Sequence, residues 1–382
     1  MTGVVVLGST GSIGRQTLEV IGAHPDRFAL VGLAAGRATA EFRAQLDAWP
    51  PSRAWCSDTR PTGLARERWA AGGLEELATL DGAEIVVVAT TGMAALPAVL
   101  AALRTGRRVA LANKETLVTG GHLTARVLTE VGGDPIERLR PIDSEHSAIW
   151  QCLAGERLSD VARLVLTASG GPFRDRAEAD LATVTPAEAL AHPTWQMGPK
   201  ITIDSATLVN KAFEAIEARW LYRLPYDRIQ AVIHPQSVVH SLVEFIDGSY
   251  KAQIGLPDMR LPIQYALTYP ERLPSPARRS SPGEWGTLSF EPLAPGRFSA
   301  YDAARAAAAE GGNRGAILNA ADETAVAAFL AGTISFPRIT DVITNAVERW
   351  GAAGEPELDE IVALDAEVRA ALSVELGLGG TA

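Results

Sequence analysis

The amino-acid sequence predicts an α/β protein. It has a doubly wound parallel sheet at the N-terminus, a central α+β domain with a lid-like loop, and a C-terminal helical bundle domain. Over about the first 140 residues, short apolar runs alternate with stretches of 3.6-residue periodicity. Strand-like and helix-like segments mix from about residue 143 to 268, and the chain is alanine-rich and helical from Ala300 onward. These three patterns predict the three parts.

The N-terminal part carries four apolar runs bounded by glycine or charge. We predict strands at Val4–Leu7, Ala29–Leu33, Ile85–Ala89 and Val109–Ala112. Helical periodicity lies between them, as in Thr17–Ile21 and Leu96–Leu103. Repeated β-α-β units indicate a parallel sheet covered by helices on both faces.

The central part mixes strands, helices and one hairpin. Leu164–Ala168 and Ala231–Ile233 have strand composition, and Thr185 followed by a proline and an acidic residue indicates a helix start. Val238–Phe245 and Tyr250–Ile254 flank an Asp-Gly pair, which predicts a β-hairpin.

Proline and glycine mark the later boundaries. Residues 270–298 are rich in both, which predicts a linker, and Gly332 and Gly351 indicate helix ends. The predicted division is therefore 1–142, 143–269, a linker at 270–298, and 299–382.

Composition excludes several classes of protein. The 382 residues include 35 basic and 45 acidic side chains, a net charge of −10, which argues against nucleic-acid or anionic-membrane binding. Two cysteines, Cys56 and Cys152, cannot form a disulfide framework. No apolar run is long enough to span a membrane, and the first residues have strand character, unlike a signal peptide. We therefore expect a cytoplasmic protein.

Lysine is scarce, with four lysines beside 31 arginines: Lys114, Lys200, Lys211 and Lys251. One explanation is that lysine remains where a compact ammonium group is needed. The other is a G+C-rich coding bias, which would leave the survivors at random positions.

A glycine-rich turn follows the first predicted strand. The spacing of Gly8, Gly11 and Gly14 suits a Rossmann-like pyrophosphate site at a helix N-terminus, although a purely structural turn is the alternative. Where an NAD site needs an acidic residue, the second strand ends in Gly36-Arg37. A cation there favours NADPH over NADH, unless Arg37 is an ordinary solvated arginine.

One pair of acidic residues is a candidate metal site, and a second polar cluster lies on a predicted helix. If the strand before Asp143 continues, Asp143 and Glu145 share one face, and their hard oxygens suit Mg²⁺ or Mn²⁺; the alternative is an ordinary helix start. Asn210, Lys211 and Glu214 lie on one surface of a predicted helix, where Lys211 and Glu214 could instead form an exposed ion pair.

The loop at 192–200 and several polar groups are further candidates. The loop holds large apolar side chains, which suggests a lid over a ligand or, alternatively, a tryptophan that anchors the loop to the core. Ser169 and two following glycines suit an anion site or a plain turn. His234 and His240 lie on or beside a strand, where histidines are more often structural than catalytic.

Taken together, these motifs resemble the 1-deoxy-D-xylulose 5-phosphate reductoisomerase family over nearly the whole chain. The resemblance is carried by LGSTGSIG at the start, LANKE at 111–115, PIDSEHSAIWQCL at 141–153, ASGGPFR at 168–174, HPTWQMGPKITIDSATLVNK at 192–211, HPQSVVHSLVEF at 234–245, PDMRLPIQYALTYPER at 257–272 and LNAADETAVAAFL at 318–330. Ala38 departs from the Asn that is common in this family, and Ala212 from the usual Gly.

The resemblance implies roles for individual residues. It implies metal ligands at Asp143, Glu145 and Glu214, and catalytic roles for Lys211, His192, His240 and Glu145. The implied substrate contacts are Ser144, Glu145, Ser169, His192, Trp195, Met197, Ser205, Asn210, Lys211 and Glu214. The implied nucleotide contacts are Thr10, Gly11, Ser12, Ile13, Gly36, Arg37, Asn113, Lys114 and Glu115.

The resemblance also implies the activity: NADPH- and Mg²⁺- or Mn²⁺-dependent rearrangement and reduction of 1-deoxy-D-xylulose 5-phosphate to 2-C-methyl-D-erythritol 4-phosphate in non-mevalonate isoprenoid synthesis, by a homodimer. A simple NADP-dependent dehydrogenase or aldehyde reductase is the alternative, and a non-catalytic NADPH-binding regulator is a second. The dehydrogenase would work without added metal, and the regulator would bind NADPH without turnover.

Overall fold

The structure is a computed structural model that describes residues 1–195 and 197–378, with only the backbone of Glu178. Gln196 of the predicted lid and the last four residues of the predicted C-terminal domain lie outside the described residues. The chain forms two compact units. Unit 1 comprises Met1–Thr116, Leu123–Trp150 and Asp258–Arg279, and unit 2 comprises Leu117–His122, Gln151–Pro257 and Ser280–Ala382. The division predicted at 142, 269 and 298 stays a prediction.

The strands are, in chain order, β1 Thr2–Leu7, β2 Phe28–Ala35, β3 Arg53–Cys56, β4 Ile85–Val88, β5 Arg108–Leu111, β6 Leu139–Pro141, β7 Val161–Ala168, β8 Ile229–Ile233, β9 Val239–Phe245, β10 Tyr250–Ile254 and β11 Glu291–Pro292. The α-helices are α1 Ser12–Ala23, α2 Ala40–Ala48, α3 Gly73–Ala78, α4 Leu96–Arg104, α5 Glu115–Val131, α6 Pro135–Arg138, α7 Ser144–Leu153, α8 Pro186–Ala189, α9 Pro199–Thr207, α10 Val209–Tyr222, α11 Arg260–Thr268, α12 Ser299–Glu310, α13 Arg314–Leu330, α14 Arg338–Trp350 and α15 Leu358–Glu375.

Unit 1 contains a six-stranded parallel sheet in the order β3-β2-β1-β4-β5-β6. The side chains of Val4–Leu7 in β1 are fully buried, because helices cover both faces of such a sheet and its strands are continuously apolar. The strand order reverses direction at β1, and ligands of doubly wound sheets bind at the carboxyl ends of the strands beside this point. The sheet therefore sets the glycine-rich turn after β1 at the expected ligand position.

Unit 2 combines a mixed sheet with the C-terminal helices. Its strand order is β10-β9-β7-β8-β11, and the predicted hairpin forms β9 and β10. Helices α9, α10, α12, α13 and α14 share one hydrophobic core with β7 and β8. Apolar residues such as Phe213, Ile317 and Phe329 fill this core. None of the helices in the described part of the chain has the length and apolarity of a membrane span.

Most of the predicted elements agree with the structure, including the helix at Thr185, which begins with a capping box. Of the two alternatives at Asp143, the helix start is correct, because the Ser147 N–H donates to the Asp143 carbonyl and α7 begins at Ser144. The predicted helix that carries Asn210, Lys211 and Glu214 is α10, and Leu208 in a left-handed conformation (φ 60°) separates it from α9.

The turn after β1 generates a stability prediction. A Cβ added at Gly14 would lie 2.2 Å from the carbonyl oxygen of Gly8, so Gly14→Ala must displace backbone. We expect a destabilisation of about 1–3 kcal/mol, measured as a lower melting temperature. Gly36→Ala is the matched control, since nothing lies within 4 Å of its added Cβ. Equal melting temperatures for the two variants would contradict the close packing of Gly14 against the Gly8 carbonyl.

Candidate active site

The glycine-rich turn after β1 lies close to the backbone of the segment that follows β4. Gly8 has φ +92°, and a Cβ there would lie 2.4 Å from the carbonyl oxygen of Ala89 beyond β4. Gly11 is the N-cap of α1 and has no side chain to cover the helix amides. The N-terminus of α1, at Ser12 and Ile13, therefore presents N–H groups and the positive end of the helix dipole, which suits a phosphate.

The turn after β2 carries Arg37, which is exposed. Its backbone is held from the end of β3, because the Ala38 N–H donates to Asp58 Oδ2 at 3.1 Å and Ser57 Oγ donates to the Gly36 carbonyl. The guanidinium thus extends from a fixed backbone. This position fits a nucleotide contact and a solvated arginine equally, so the NADPH role of Arg37 stays a prediction.

Asn113 follows β5 and ties neighbouring loops together. Its Nδ2 donates to the carbonyls of Thr90 at 2.9 Å and Gly92 at 2.8 Å, and its Oδ1 accepts from the Thr116 N–H at 2.9 Å. The side chain is buried, so these bonds fix the loops after β4 and β5. Asn113 orders the ligand edge of the sheet whether or not it touches the nucleotide.

Lys114 forms an ion pair with one of the predicted metal ligands. Its Nζ lies 2.5 Å from Asp143 Oδ2, and both side chains are largely buried. The next residue, Ser144, donates its hydroxyl to Glu145 Oε2 at 2.6 Å. Asp143 and Glu145 thus stand at the start of α7, where the negative charge is favoured by the helix dipole. The helix-start alternative is correct, and it places both carboxylates at the same end of α7.

The third predicted metal ligand, Glu214, lies on α10 in unit 2. Asn210 Nδ2 donates to Glu214 Oε1 at 2.6 Å, and Lys211 Nζ pairs with Glu214 Oε2. The side chains of Lys211 and Glu214 are 4% and 1% exposed, which rules out the surface ion pair considered above. A buried charge must be paired and hydrogen-bonded, and these two neighbours meet that requirement.

His192 joins two predicted substrate-binding serines. Its Nε2 lies 3.1 Å from both Ser169 Oγ and Ser205 Oγ. Its Nδ1 accepts from the N–H groups of Thr194 at 3.2 Å and Trp195 at 2.9 Å. Since Nδ1 accepts, the proton of the neutral ring is on Nε2, which points to the two hydroxyls.

Close backbone packing supports the Ser169 turn. A Cβ added at Gly171 would lie 2.6 Å from the carbonyl oxygen of Ser205, and the Gly171 N–H donates to Ser169 Oγ at 3.2 Å. The glycines therefore let the end of β7 approach α9 directly. This brings Ser169 and Ser205 to the same histidine.

The remaining candidates are two residues of the predicted lid and two histidines. Trp195 and Met197 are half-buried, and the Trp195 ring lies 6.3 Å from the ring of His240. His240 Nε2 lies 3.1 Å from the Gly255 carbonyl. His234 is structural, since its Nδ1 donates to the Ser289 carbonyl at 2.8 Å while its Nε2 accepts two backbone N–H groups.

The sequence reasoning missed a buried charge cluster around Lys200. Its Nζ lies 2.6 Å from Asp204 and 2.8 Å from Asp322. The four-residue spacing from Lys200 to Asp204 would have indicated the first contact, once Lys200 was placed inside α9. Asp322 comes from α13, and no local pattern marks it.

His192 generates a prediction about pH. Burial lowers the pKa of His192 from its usual 6.5. Because the pKa is lowered, the contribution of neutral His192 to the stability of the ordered loop is fully present above pH 6.5. This contribution is lost as the pH falls through the lowered pKa. A protonated ring donates from Nδ1, so it cannot accept from Thr194 and Trp195. We expect hydrogen-exchange protection of these two amides, corrected for intrinsic rates, to fall below pH 6.5.

His192→Asn is the matched control for this experiment. Asparagine does not titrate, and its Oδ1 can accept from amides two or three residues ahead. Protection in the variant should therefore be independent of pH over the same range. Identical pH profiles for the two proteins would show that His192 does not order the loop.

Comparison with known proteins identifies the family. The 1-deoxy-D-xylulose 5-phosphate reductoisomerase model matches residues 4–121, and models of the C-terminal domain of this reductoisomerase match residues 139–222 and 254–371. The enzyme of this name from Pelotomaculum thermopropionicum is 48% identical over 379 residues, covering 96% of each chain. That of Thermomicrobium roseum is 49% identical, covering 95% of this chain and 94% of the relative.

Solved structures agree with the sequence comparison. The reductoisomerase of Zymomonas mobilis in complex with NADPH is 38% identical with a TM-score of 0.88, covering 98% of this chain and 99% of that one. A DOX-P reductoisomerase in complex with NADPH, fosmidomycin and magnesium is 36% identical with a TM-score of 0.89, covering 99% of both chains. The chain therefore belongs to the 1-deoxy-D-xylulose 5-phosphate reductoisomerase family.

Proposed function

We propose that this chain converts 1-deoxy-D-xylulose 5-phosphate to 2-C-methyl-D-erythritol 4-phosphate, with NADPH as the reductant and a divalent cation. The observation that carries this proposal is the buried carboxylate Glu214, framed by Asn210 and Lys211 on α10. A simple dehydrogenase needs the nucleotide turn but no such carboxylate. Relatives of the same length, solved with NADPH and magnesium, support the assignment.

Asp143, Glu145 and Glu214 are the proposed metal ligands. They supply only carboxylate oxygens, which are hard ligands that suit Mg²⁺ or Mn²⁺ better than zinc. When bound, the cation acts as a Lewis acid that polarises the substrate carbonyl. Lys114 and Ser144 hold Asp143 and Glu145 in place through an ion pair and a hydrogen bond. Ser144 is also a proposed substrate contact.

The proposed phosphate and hydroxyl contacts come from unit 2. Ser169 and Ser205 offer hydroxyls next to the Nε2–H of His192. Asn210 offers an amide, and Lys211 offers the cation that a phosphorylated substrate needs in a protein of net charge −10. Binding the phosphate away from the bond changes orients the reacting end of the substrate.

The loop containing Trp195 and Met197 is the proposed lid. The N–H groups of Thr194 and Trp195 donate to His192 and hold the backbone at the start of this loop, and the two apolar side chains would exclude water from the reacting carbons. His192 and His240 are proposed as hydrogen-bonding groups beside the substrate, with the Trp195 ring next to His240. The neutral Nε2–H of His192 serves as a donor to the substrate or to the two serines.

The proposed nucleotide site is at the carboxyl ends of the unit 1 strands. The α1 N-terminus binds the pyrophosphate, and Arg37 binds the 2′-phosphate. The full proposed set is Thr10, Gly11, Ser12, Ile13, Gly36, Arg37, Asn113, Lys114 and Glu115. The ion pair of Lys114 with Asp143 gives this lysine a second role beside the metal ligands.

We also propose a homodimer that works in the cytoplasm. Strand β10 is the outer strand of its sheet, and Tyr250 and Ile254 on it are 52% and 41% exposed. An exposed apolar edge strand is a template for pairing with another chain, and a second copy is the proposed occupant. Sedimentation velocity is the test of this assembly.

The proposed cytoplasmic location agrees with the cysteines. The two cysteines are free and buried, which suits a reducing compartment.

The metal requirement is tested by an NADPH-oxidation assay with 1-deoxy-D-xylulose 5-phosphate, with and without chelator. We expect turnover only when a divalent cation is present. Glu214→Gln removes one ligand charge, so half-maximal activity should need at least about tenfold more metal while the KM for NADPH stays the same. Glu156→Gln, which removes the acidic partner of the exposed Lys251, is the control. Turnover in chelator would favour a simple dehydrogenase.

Nucleotide choice is tested at Arg37. Arg37→Ala should weaken NADPH binding about tenfold, as expected when a charge-assisted hydrogen bond is lost at an exposed site, and leave NADH binding nearly unchanged. Titration of each nucleotide by fluorescence measures both affinities. Equal losses for the two nucleotides would identify Arg37 as an ordinary surface arginine.

A further inference from the structure

Lys200 is the last residue of the loop predicted at 192–200, and it lies in the first turn of α9. The helix begins at Pro199, and its N-cap, Gly198, has no capping side chain. A cation in the first turn of a helix is at the unfavourable, positive end of the helix dipole. Other interactions must therefore hold Lys200 at this position.

Two carboxylates and an aromatic ring surround the Lys200 ammonium group. Asp204 lies 2.6 Å away on the same helix, and Asp322 lies 2.8 Å away on α13. The ring of Phe213 on α10 lies 5.0 Å from Nζ. Asp204 and Asp322 are buried, with side-chain exposures of 3% and 0%. Lys200 thus connects three helices through one buried charge.

The buried acids and the lysine depend on each other. Burial raises the pKa of Asp322, and the charge of Lys200 opposes this rise. Without the lysine, two buried carboxyl groups would face each other, and ionised carboxylates in that situation are strongly destabilised. The contact between α9 and α13 therefore needs the ammonium group of Lys200 and an acceptor at position 322.

The far end of α9 carries Ser205, which contacts His192 at 3.1 Å. His192 in turn orders the start of the lid loop through Thr194 and Trp195. One end of the loop is thus held by the histidine and the other end by the helix that Lys200 anchors. A shift of α9 moves both Ser205 and the end of the loop.

We propose that Lys200, clamped between Asp204 and Asp322, is a positioning residue for the substrate site, because it holds α9 and thereby fixes Ser205 and the lid. The proposal rests on the proposed function for its kinetic consequence. Lys200 acts through α9 and touches neither substrate nor cofactor in this role. Asp322 has the same role from the C-terminal helices.

The first test is hydrogen exchange of the protein without substrate. Lys200→Met keeps most of the length of the side chain and removes its charge, so exchange of the backbone N–H groups of residues 202–207 should accelerate about tenfold or more. Lys251→Met is the matched control, since Lys251 pairs with Glu156 at an exposed site. Unchanged exchange in Lys200→Met would overturn the proposal. This readout does not depend on the identity of the substrate.

The second test separates positioning from general stability. We expect Lys200→Met and Asp322→Leu to raise the KM for 1-deoxy-D-xylulose 5-phosphate about tenfold or more, with the KM for NADPH unchanged. Asp322→Asn keeps an acceptor for Nζ and should restore a nearly normal KM. If Lys200→Met does not fold, the comparison of Asp322→Leu with Asp322→Asn tests the positioning role by itself.

The possible failures are distinguishable. A lower melting temperature with an unchanged substrate KM in the folded variants would show a merely structural cluster and overturn the proposal. A wild-type protein that does not turn over 1-deoxy-D-xylulose 5-phosphate would instead contradict the proposed function, and the exchange experiment would still decide the role of Lys200.

Discussion

The structure depends on the compensation of buried carboxylates by lysine. Asp143 pairs with Lys114, Glu214 with Lys211, and Asp322 with Lys200. An ionised carboxylate taken out of water is tolerated only with an opposite charge and good hydrogen bonds. Each of these pairs places a lysine next to an acid that the proposed chemistry or the proposed clamp needs. The remaining lysine, Lys251, pairs with Glu156 at the surface.

This distribution decides between the two explanations of lysine scarcity. A coding bias alone would leave the lysines at random, mostly exposed positions, because lysine is among the least buried residue types. Lys114 and Lys211 are instead buried, and Lys200 is 25% exposed between two buried acids. An ammonium group fits these narrow positions, whereas the guanidinium of arginine is planar and larger. Lysine therefore remains where its compact charge is required.

Local patterns predicted the parts of the molecule that local interactions determine. The strands of the parallel sheet, the hairpin and the Asn210–Glu214 cluster follow from apolar runs, a turn dipeptide and helical spacing. The sequence left a strand and a helix start open at Asp143, because apolar residues before it suit either element. The Asp322 contact was not predicted, because it joins residues more than a hundred positions apart.

The net charge of this protein has the same sign as the charge of its proposed ligands. A chain of charge −10 repels phosphorylated molecules at long range, yet both proposed ligands carry phosphate. Screening limits that repulsion to about 8–10 Å at physiological salt, so recognition is decided by groups in contact. The proposed contact groups are the helix amides at Ser12, the Nε2–H of His192 and the ammonium of Lys211. Because their partners hold them in place before the ligand arrives, little ordering is needed on binding.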